Sequence, residues 1–442
     1  MKVLLVGGGG REHALAWKIA QSPLVDVFHA APGNPGIARH ARTVDLKVAD
    51  ADALVNFAAR ERIDLTVVGP EAPLVAGLAD RFRERGLAVF GPSAEAAAIE
   101  GSKVFAKTLM ARHGIPTARF QSFTDADRAR RYCRELGAPL VVKADGLAAG
   151  KGVIVCRSVA ESDVAVAECM ERHAFGAAGA SVVIEEFMVG QEASFFAIVS
   201  GTDVVPLGGA RDHKTVFDGD RGPNTGGMGA YSPVPELDSA MTERIVSAIV
   251  RPTVKALSGE GRPYHGFLYA GLMLSADGPK VVEFNCRFGD PECQAIMPRI
   301  DGDLVPMLAA VARGEAVEPA TLDERREAAV CVMLASGGYP GTYRTGFPIK
   351  GIDAAEKQPG ITVFHSGTAL RDGEIVTAGG RVLGVTAVGD DVDVAVARAY
   401  AAIDLIRFEG VHYRTDIGRG TRSAAEHASR VRRPAAEGSA RG

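Results

Sequence analysis

The sequence predicts a multidomain chain of mixed α/β and α+β class, on three observations. Its 442 residues, 47% hydrophobic and 24% charged, fit about two to four globular domains with well-buried cores. Over residues 1–101 apolar runs alternate with amphipathic stretches, the pattern of a parallel, doubly wound sheet. From residue 102 short β-rich runs surround glycine-rich turns, and strands with a helix return over 324–420 as a small α/β unit.

In order, the first unit reads as a strand at Val3 to Val6, a helix from Arg11, a strand at Val25 to Ala30, a helix near Asp52 to Arg60, a strand at Leu65 to Val68, a helix over Leu74 to Arg85 and a strand at Leu87 to Phe90. Ser102 is placed to cap a helix running to about His113, stopped by Gly114 and Pro116. That helix opens a central region over 102–323, which contains a smaller subdomain at about 121–188. Within the subdomain lie Leu140 to Lys143, a glycine loop, Val153 to Cys156, a helix from about Val159 and a strand at Ser181 to Glu185. Phe195 to Val199, a long loop from His213 to Tyr231 and a helix around Met241 to Leu257 follow, then a hairpin of Phe267 to Leu274 with Val281 to Asn285 about Asp277-Gly278. The third unit has strands at Ala329 to Ala335 and Val382 to Val388 and a helix from about Asp393 to Ile406. Residues 421–442, rich in Arg, Ala, Ser and Gly without apolar periodicity, read as a disordered tail.

Composition excludes several functions. The longest stretch without Lys, Arg, Asp or Glu, Ala328 to Tyr343, is broken by Gly337, Gly338, Pro340 and Gly341, so no membrane span is expected. The N-terminus enters an apolar strand without the features of a secretory signal, and a cytoplasmic location is expected. A net charge of −4 offers no global attraction for nucleic acid. The six cysteines form no Cys-x-x-Cys pair and are expected to be reduced and buried, with neither zinc site nor disulfide framework signalled. The expected partners are small-molecule substrates, and the expected state is a monomer.

Five motifs carry chemistry. Gly7-Gly8-Gly9-Gly10-Arg11-Glu12-His13 follows a strand and opens a helix, whose free N–H groups and dipole favour an anion such as phosphate; the same loop serves equally as a packing turn. Glu12 stands where a dinucleotide-binding turn needs a small residue, which disfavours a nicotinamide cofactor. Lys143 to Val153 places a small-residue loop between Lys143 and Lys151, and the strand that follows fits a flap over phosphates rather than a Walker loop. Glu185, Glu186 and Phe187 end a strand, with Glu192 beyond, where backbone groups can read an adenine edge and a carboxylate can take ribose hydroxyls; alone, such acids read as a solvated edge. Glu283 and Asn285 share one face of a strand, with Val282 and Phe284 packed behind, and present two oxygen donors suited to Mg²⁺. Arg287 and Asp290 in the next loop can hold a carboxylate and an amine. Asp212-His213-Lys214 and Gly222 to Ala230 form a glycine-rich loop that implies close approach of backbone to a substrate.

Together these residues resemble the glycinamide ribonucleotide synthetase family of the ATP-grasp superfamily. The resemblance is carried by Gly9 to Leu15, Val68 to Leu74, Lys143 to Val153, Gly222 to Pro233, Gly266 to Met273, Glu283 to Glu292 and Gly337 to Gly346, and covers about residues 1–420. It implies a Rossmann-like N-terminal domain, a two-part ATP-grasp region that clamps the nucleotide between sheets, and a small C-terminal α/β domain. ATP and Mg²⁺ (or Mn²⁺) are the implied cofactors, with Glu283 and Asn285 as metal ligands. The implied ATP contacts are Lys103, Lys143, Gly146, Gly150, Lys151, Gly152, Glu185, Glu186, Phe187 and Glu192. Gly9, Gly10, Arg11, Glu12, Glu71, Asp212, Gly226, Gly227 and Met228 are the implied contacts to phosphoribosylamine. Arg287, Asp290 and Lys214 take the catalytic places, with Asp290 a candidate to orient or deprotonate the attacking amine. The implied reaction joins glycine to 5-phosphoribosylamine through glycyl phosphate, for purine synthesis; the alternative is another ATP-grasp carboxylate–amine ligase. The chain departs from the family's pattern at Gly8 and at Ala210-Arg211, and its strand Leu268 to Leu274 lacks the metal-binding acid of many ATP-grasp enzymes, so two protein ligands must suffice.

Overall fold

The computed structural model describes residues 1–148, 152–318, 322 and 324–419. Strand Lys2–Gly7 lies at the centre of a five-stranded parallel sheet, between Val27–Pro32 and Leu65–Val68, with Arg42–Thr43 and Val89–Phe90 at the edges. Its apolar runs are buried because helices cover both faces. The single helix predicted over Leu74 to Arg85 is two, Glu71–Val75 and Leu78–Glu84, because Gly77 adopts φ 87 between them. Ser102 caps Lys103–Arg112 as predicted, its hydroxyl accepting from the Phe105 N–H at 3.1 Å.

A four-stranded antiparallel sheet follows, in the order Phe120–Phe123, Val182–Glu186, Leu140–Ala144, Val153–Cys156. The last two strands form the hairpin whose connection is the lysine-bracketed loop. Cys133, Cys156 and Cys169 lie in the core of this subdomain, and all six cysteines are free and buried. The sequence reading missed helix Ala126–Leu136, although Ala129 and Cys133 are buried and Ala126, Tyr132 and Leu136 pack beside them at helical spacing.

The main sheet has eight antiparallel strands in the order Gly278–Asn285, Tyr264–Ser275, Gln191–Gly201, Asp203–Asp212, Gly229–Ser232, Ala328–Ala335, Arg381–Gly389, Ile361–His365. The central region and the unit from residue 324, read from sequence as separate, therefore share one sheet, joined where Gly229–Ser232 pairs with Ala328–Ala335. The predicted loop from His213 to Tyr231 contains the hairpin Thr215–Phe217 with Arg221–Asn224 and ends in this joining strand. Beneath the loop that carries Arg287 and Asp290, Phe288 stacks on Phe196 with centroids 4.3 Å apart and meets Phe267 edge-on at 5.0 Å. Each such ring pair adds about 0.5–1.5 kcal/mol beyond its buried area, so the loop has a rigid base. Among the described residues no helix is long and apolar enough to cross a membrane.

Candidate active site

The nucleotide end of the site is built on a buried carboxylate. Glu185, on strand Val182–Glu186, lies with one oxygen 3.0 Å from Lys143 Nζ and the other 3.0 Å from Lys107 Nζ, all three side chains nearly solvent-free. Lys143 also donates to the Val282 carbonyl at 2.9 Å, and Lys107 to the Thr117 hydroxyl at 2.7 Å. Burial lowers Lys107 to about 8 even with Glu185 beside it. Glu185 Oε1 accepts no aligned hydrogen bond from the described residues, so it retains acceptor capacity for a ligand's N–H or O–H.

The acids grouped in the sequence reading part company here, because successive residues of a strand face opposite ways. Glu186 is turned away from Lys143 and pairs with Arg119 Nε at 2.6 Å, while Phe187 is exposed. Glu192, on the next strand, pairs with Lys214 at 3.0 Å. Glu185 is thus a buried counterion and not the solvated edge that such acids suggest. The base of the glycine loop is pinned by Asp145, which accepts from the Ser102 hydroxyl and Val104 N–H at 2.8 Å each and from the Ser181 hydroxyl at 3.0 Å. Lys103 Nζ donates to the Gly146 carbonyl at 3.2 Å. A Cβ at Gly146 would stand 2.6 Å from the Ala178 methyl, and one at Gly152 2.7 Å from that of Ala148, so both turns need glycine. Gly150 and Lys151 lie outside the described residues, as does 421–442.

Glu283 and Asn285 stand on the same face of edge strand Gly278–Asn285, opposite Gly271 and Tyr269. The expectation that Val282 packs behind them is corrected: the register slips at this point, Val281 is the buried residue, and Val282 turns its carbonyl to Lys143. With its amide turned to suit its neighbours, the Asn285 nitrogen donates to Glu100 Oε1 at 3.1 Å and to the Phe284 carbonyl at 3.0 Å. No group of three or more His, Cys, Asp or Glu side chains able to hold a metal occurs among the described residues. Two hard oxygen donors match a divalent ion that takes its remaining ligands from phosphates and water.

At the other end, charged residues from distant segments interlock. Arg287 lies between Glu71, 3.1 Å away, and Glu100, also 3.1 Å away, and Arg11 approaches Glu71 at 3.6 Å. Against the effect of burial, Arg287 and Arg11 hold Glu71 down at about 2. Glu12 folds back on its own helix, accepting from the Gly9 N–H and Arg11 Nε at 2.7 Å each. It fills the room that Gly7 and Gly69 leave open, where a Cβ would come within 2.4 Å of it. At Gly9 the N–H that would favour an anion is taken by the chain's own Glu12 carboxylate. Gly10 is a packing glycine, since a Cβ there would meet Ser366 Oγ at 2.3 Å.

Asp290 accepts from Gln294 Nε2 at 2.8 Å and pairs with Arg381 at 3.1 Å. Arg381 also donates to the Gly226 carbonyl and, at 2.6 Å, to the Asp290 carbonyl, so one guanidinium ties the Gly226-Gly227 turn to the Asp290 loop. Asp212 lies 3.3 Å from Lys214, which Glu192 shares. Burial works against the Lys214 ammonium, but Asp212 and Glu192 outweigh it and keep it firmly protonated. Met228 is fully buried under this turn.

Family models fit the chain in sequence: the N domain of phosphoribosylglycinamide synthetase over 1–100, its ATP-grasp (A) domain over 101–293 and its C domain over 329–420. The chain belongs to the phosphoribosylglycinamide synthetase family. A phosphoribosylamine–glycine ligase of Agrobacterium fabrum is 54% identical over 418 residues, covering 95% of this chain and 98% of its own. One from Escherichia coli O157:H7 is 53% identical over 423 residues, with 95% and 98% covered. Among solved structures, the phosphoribosylamine–glycine ligase of Thermotoga maritima superposes with a TM-score of 0.82 at 34% identity, over 94% of this chain and 100% of that one. A biotin carboxylase of Campylobacter jejuni, at 14% identity and TM-score 0.69 over 93% and 92%, shares the fold.

In this phosphoribosylglycinamide synthetase family chain the sequence reading missed Glu100, Lys107, Gln294 and Arg381, all of them joined to residues it had singled out. Glu100 and Lys107 had a usable signal: each is a lone charge on the buried face of a short helix, among Ala96, Ala97 and Ile99 or Ala106 and Met110. Arg381 had none, because its partners lie 91 and 155 residues away.

Proposed function

We propose that the chain joins glycine to 5-phosphoribosylamine at the expense of ATP, by way of glycyl phosphate, giving glycinamide ribonucleotide, ADP and phosphate. The observation that carries this reading is the position of Glu283 and Asn285, between a lysine-bracketed glycine hairpin and a pocket of paired charges that ends at Gly226-Gly227. Relatives named for this reaction align over 95% of the chain. Bound at Glu283 and Asn285, Mg²⁺ would neutralise the charge that gathers on transferring phosphoryl oxygens.

The residues divide the work. Lys143 and Glu185 receive the base end of ATP, Glu185 with an acceptor to spare, while Lys103 and the hairpin cover the phosphates. Arg287, held between Glu71 and Glu100, presents its remaining N–H groups to the glycine carboxylate, which needs only alignment to attack the γ-phosphorus. The Gly226-Gly227 turn and Asp290 place the amine, and exclusion of water keeps the acyl phosphate from hydrolysis. Glycine labelled with ¹⁸O in its carboxylate tests the route. Labelled phosphate and ADP are expected; label in AMP, or unlabelled phosphate from complete turnover, would overturn it.

A further inference from the structure

The ligase reading leaves one proton to place, because the amine of phosphoribosylamine carries two hydrogens on nitrogen and the amide keeps one. Two buried aspartates flank Gly227. From the point where a Gly227 side chain would begin, Asp212 Oδ1 is 3.0 Å away and the Asp290 carbonyl 3.3 Å. Their surroundings differ. Both Asp290 oxygens are engaged, one by Gln294 and one by Arg381, and against burial Arg381 and Arg11 hold that carboxyl below its ordinary range.

Asp212 has only Oδ2 paired, 3.3 Å from Lys214; Oδ1 is buried and accepts no hydrogen bond from any described residue. A buried carboxylate oxygen without a donor is costly, and the position is best explained by a ligand N–H that arrives there. The charged groups facing Asp212 are the Lys214 ammonium, Glu192 beyond it, and Glu292, which accepts from the Ser194 hydroxyl at 2.9 Å. Burial, opposed by Lys214 and assisted by Glu292, raises Asp212 to about 7. Neighbouring carboxyls whose settings push their proton affinities apart divide the roles of base and bystander.

We propose that Asp212 is the proton acceptor in amide formation and that Asp290 orients the amine without taking its proton. This rests on the ligase reading. The amine nitrogen attacks the carbonyl carbon of glycyl phosphate and the N–C bond forms. The C–O bond to phosphate breaks, its electron pair leaving with the phosphate, and the surplus N–H proton passes to Asp212 Oδ1. Water removes that proton before the next turnover, and Lys214 favours the return to carboxylate.

The test is rapid-quench kinetics of Asp212→Asn with ATP, Mg²⁺, glycine and phosphoribosylamine, following ADP and amide separately. Acyl phosphate formation does not need this base, so ADP is expected in a burst of one per site at the wild-type rate, while amide formation slows by about 100-fold or more. ADP and amide slowed equally, or both unchanged, would overturn the proposal. Should the variant fold poorly, the wild-type amide-forming step is followed against pH at several temperatures. A limb near pH 7 that stays fixed with temperature, as carboxyl ionisations do, supports Asp212; no limb, or one that moves as amine ionisations do, overturns it. Failure of the wild-type chain to make ADP and amide would refute the ligase reading itself, a distinct result.

Discussion

The two ends of the site balance charge in opposite ways. At the nucleotide end one carboxylate, Glu185, serves two lysines, and Lys143 ties the group to the main sheet through the Val282 carbonyl. At the amine end Arg11, Glu71, Glu100, Arg287, Asp290 and Arg381 come from all three regions of the chain and meet only in the folded state. The first arrangement is gathered within the central region; the second draws on all three regions. Damage at the nucleotide end should therefore appear chiefly as lost stability, and damage at the amine end as lost coupling between steps.

The largest effect is expected where the ends meet. Glu283→Ala removes an anionic metal ligand without emptying the core, and turnover should fall by about a thousandfold or more with little change in unfolding midpoint. Phosphate release over a Mg²⁺ titration checks it, and wild-type activity would remove Glu283 from the metal site. Next comes Glu185→Gln, which leaves Lys107 and Lys143 buried without their counterion. A loss of about 3–5 kcal/mol is expected, partly restored by adding Lys107→Met, and read from denaturant midpoints. A stable Glu185→Gln chain would break the contrast drawn above.

Arg381→Met sharpens the amine side. It should leave ATP affinity within about twofold yet lower amide yield per ADP by about 10-fold, since the Gly226-Gly227 turn loses its tie to Asp290. Product and ADP counted in the same reaction decide it; ADP and amide falling together would mean that Arg381 serves phosphoryl transfer instead. The smallest effect is acid sensitivity. Burial holds His213 and His365 at about 4, against 6.5 for the free side chain, and lowers His13 as well. As pH falls from 6.5 towards 4 the unfolded chain takes up protons that these folded histidines refuse, so stability should drop across that window, by about 1–3 kcal/mol for each. His365→Gln should flatten the melting profile between those pH values; an unchanged slope would remove His365 from the account.

What the sequence made legible follows the same division. The pairing of Leu140–Ala144 with Val153–Cys156, the Ser102 cap and the alternation of Glu283 with Asn285 depend on neighbours a few residues apart, and all of them formed as read. The slip at Val282 did not show, because register is a property of two strands and Tyr264–Ser275 carries half of it. The turn of Glu12 back onto its own helix does not show in the sequence, because the space left by Gly69, far along the chain, decides it. Strand Asp203–Asp212 went unrecognised since Pro206, Gly208 and Gly209 interrupt its alternation, while its neighbours on both sides hold it in the sheet.

The strand Gly229–Ser232 bears on how the protein can be cut. Its outer backbone groups are taken up by Ala328–Ala335, so a fragment ending before residue 328 would carry a bare strand edge in the middle of what had been a continuous sheet. Such an edge recruits other chains, which makes that fragment prone to aggregate rather than to act as a smaller ligase. Splitting the gene at this boundary should give two insoluble halves when expressed alone and a soluble pair when expressed together. The same reasoning favours inserting a tag or fusion partner at the exposed turn near Asp372-Gly373, which closes a separate two-stranded ribbon and leaves the shared sheet untouched.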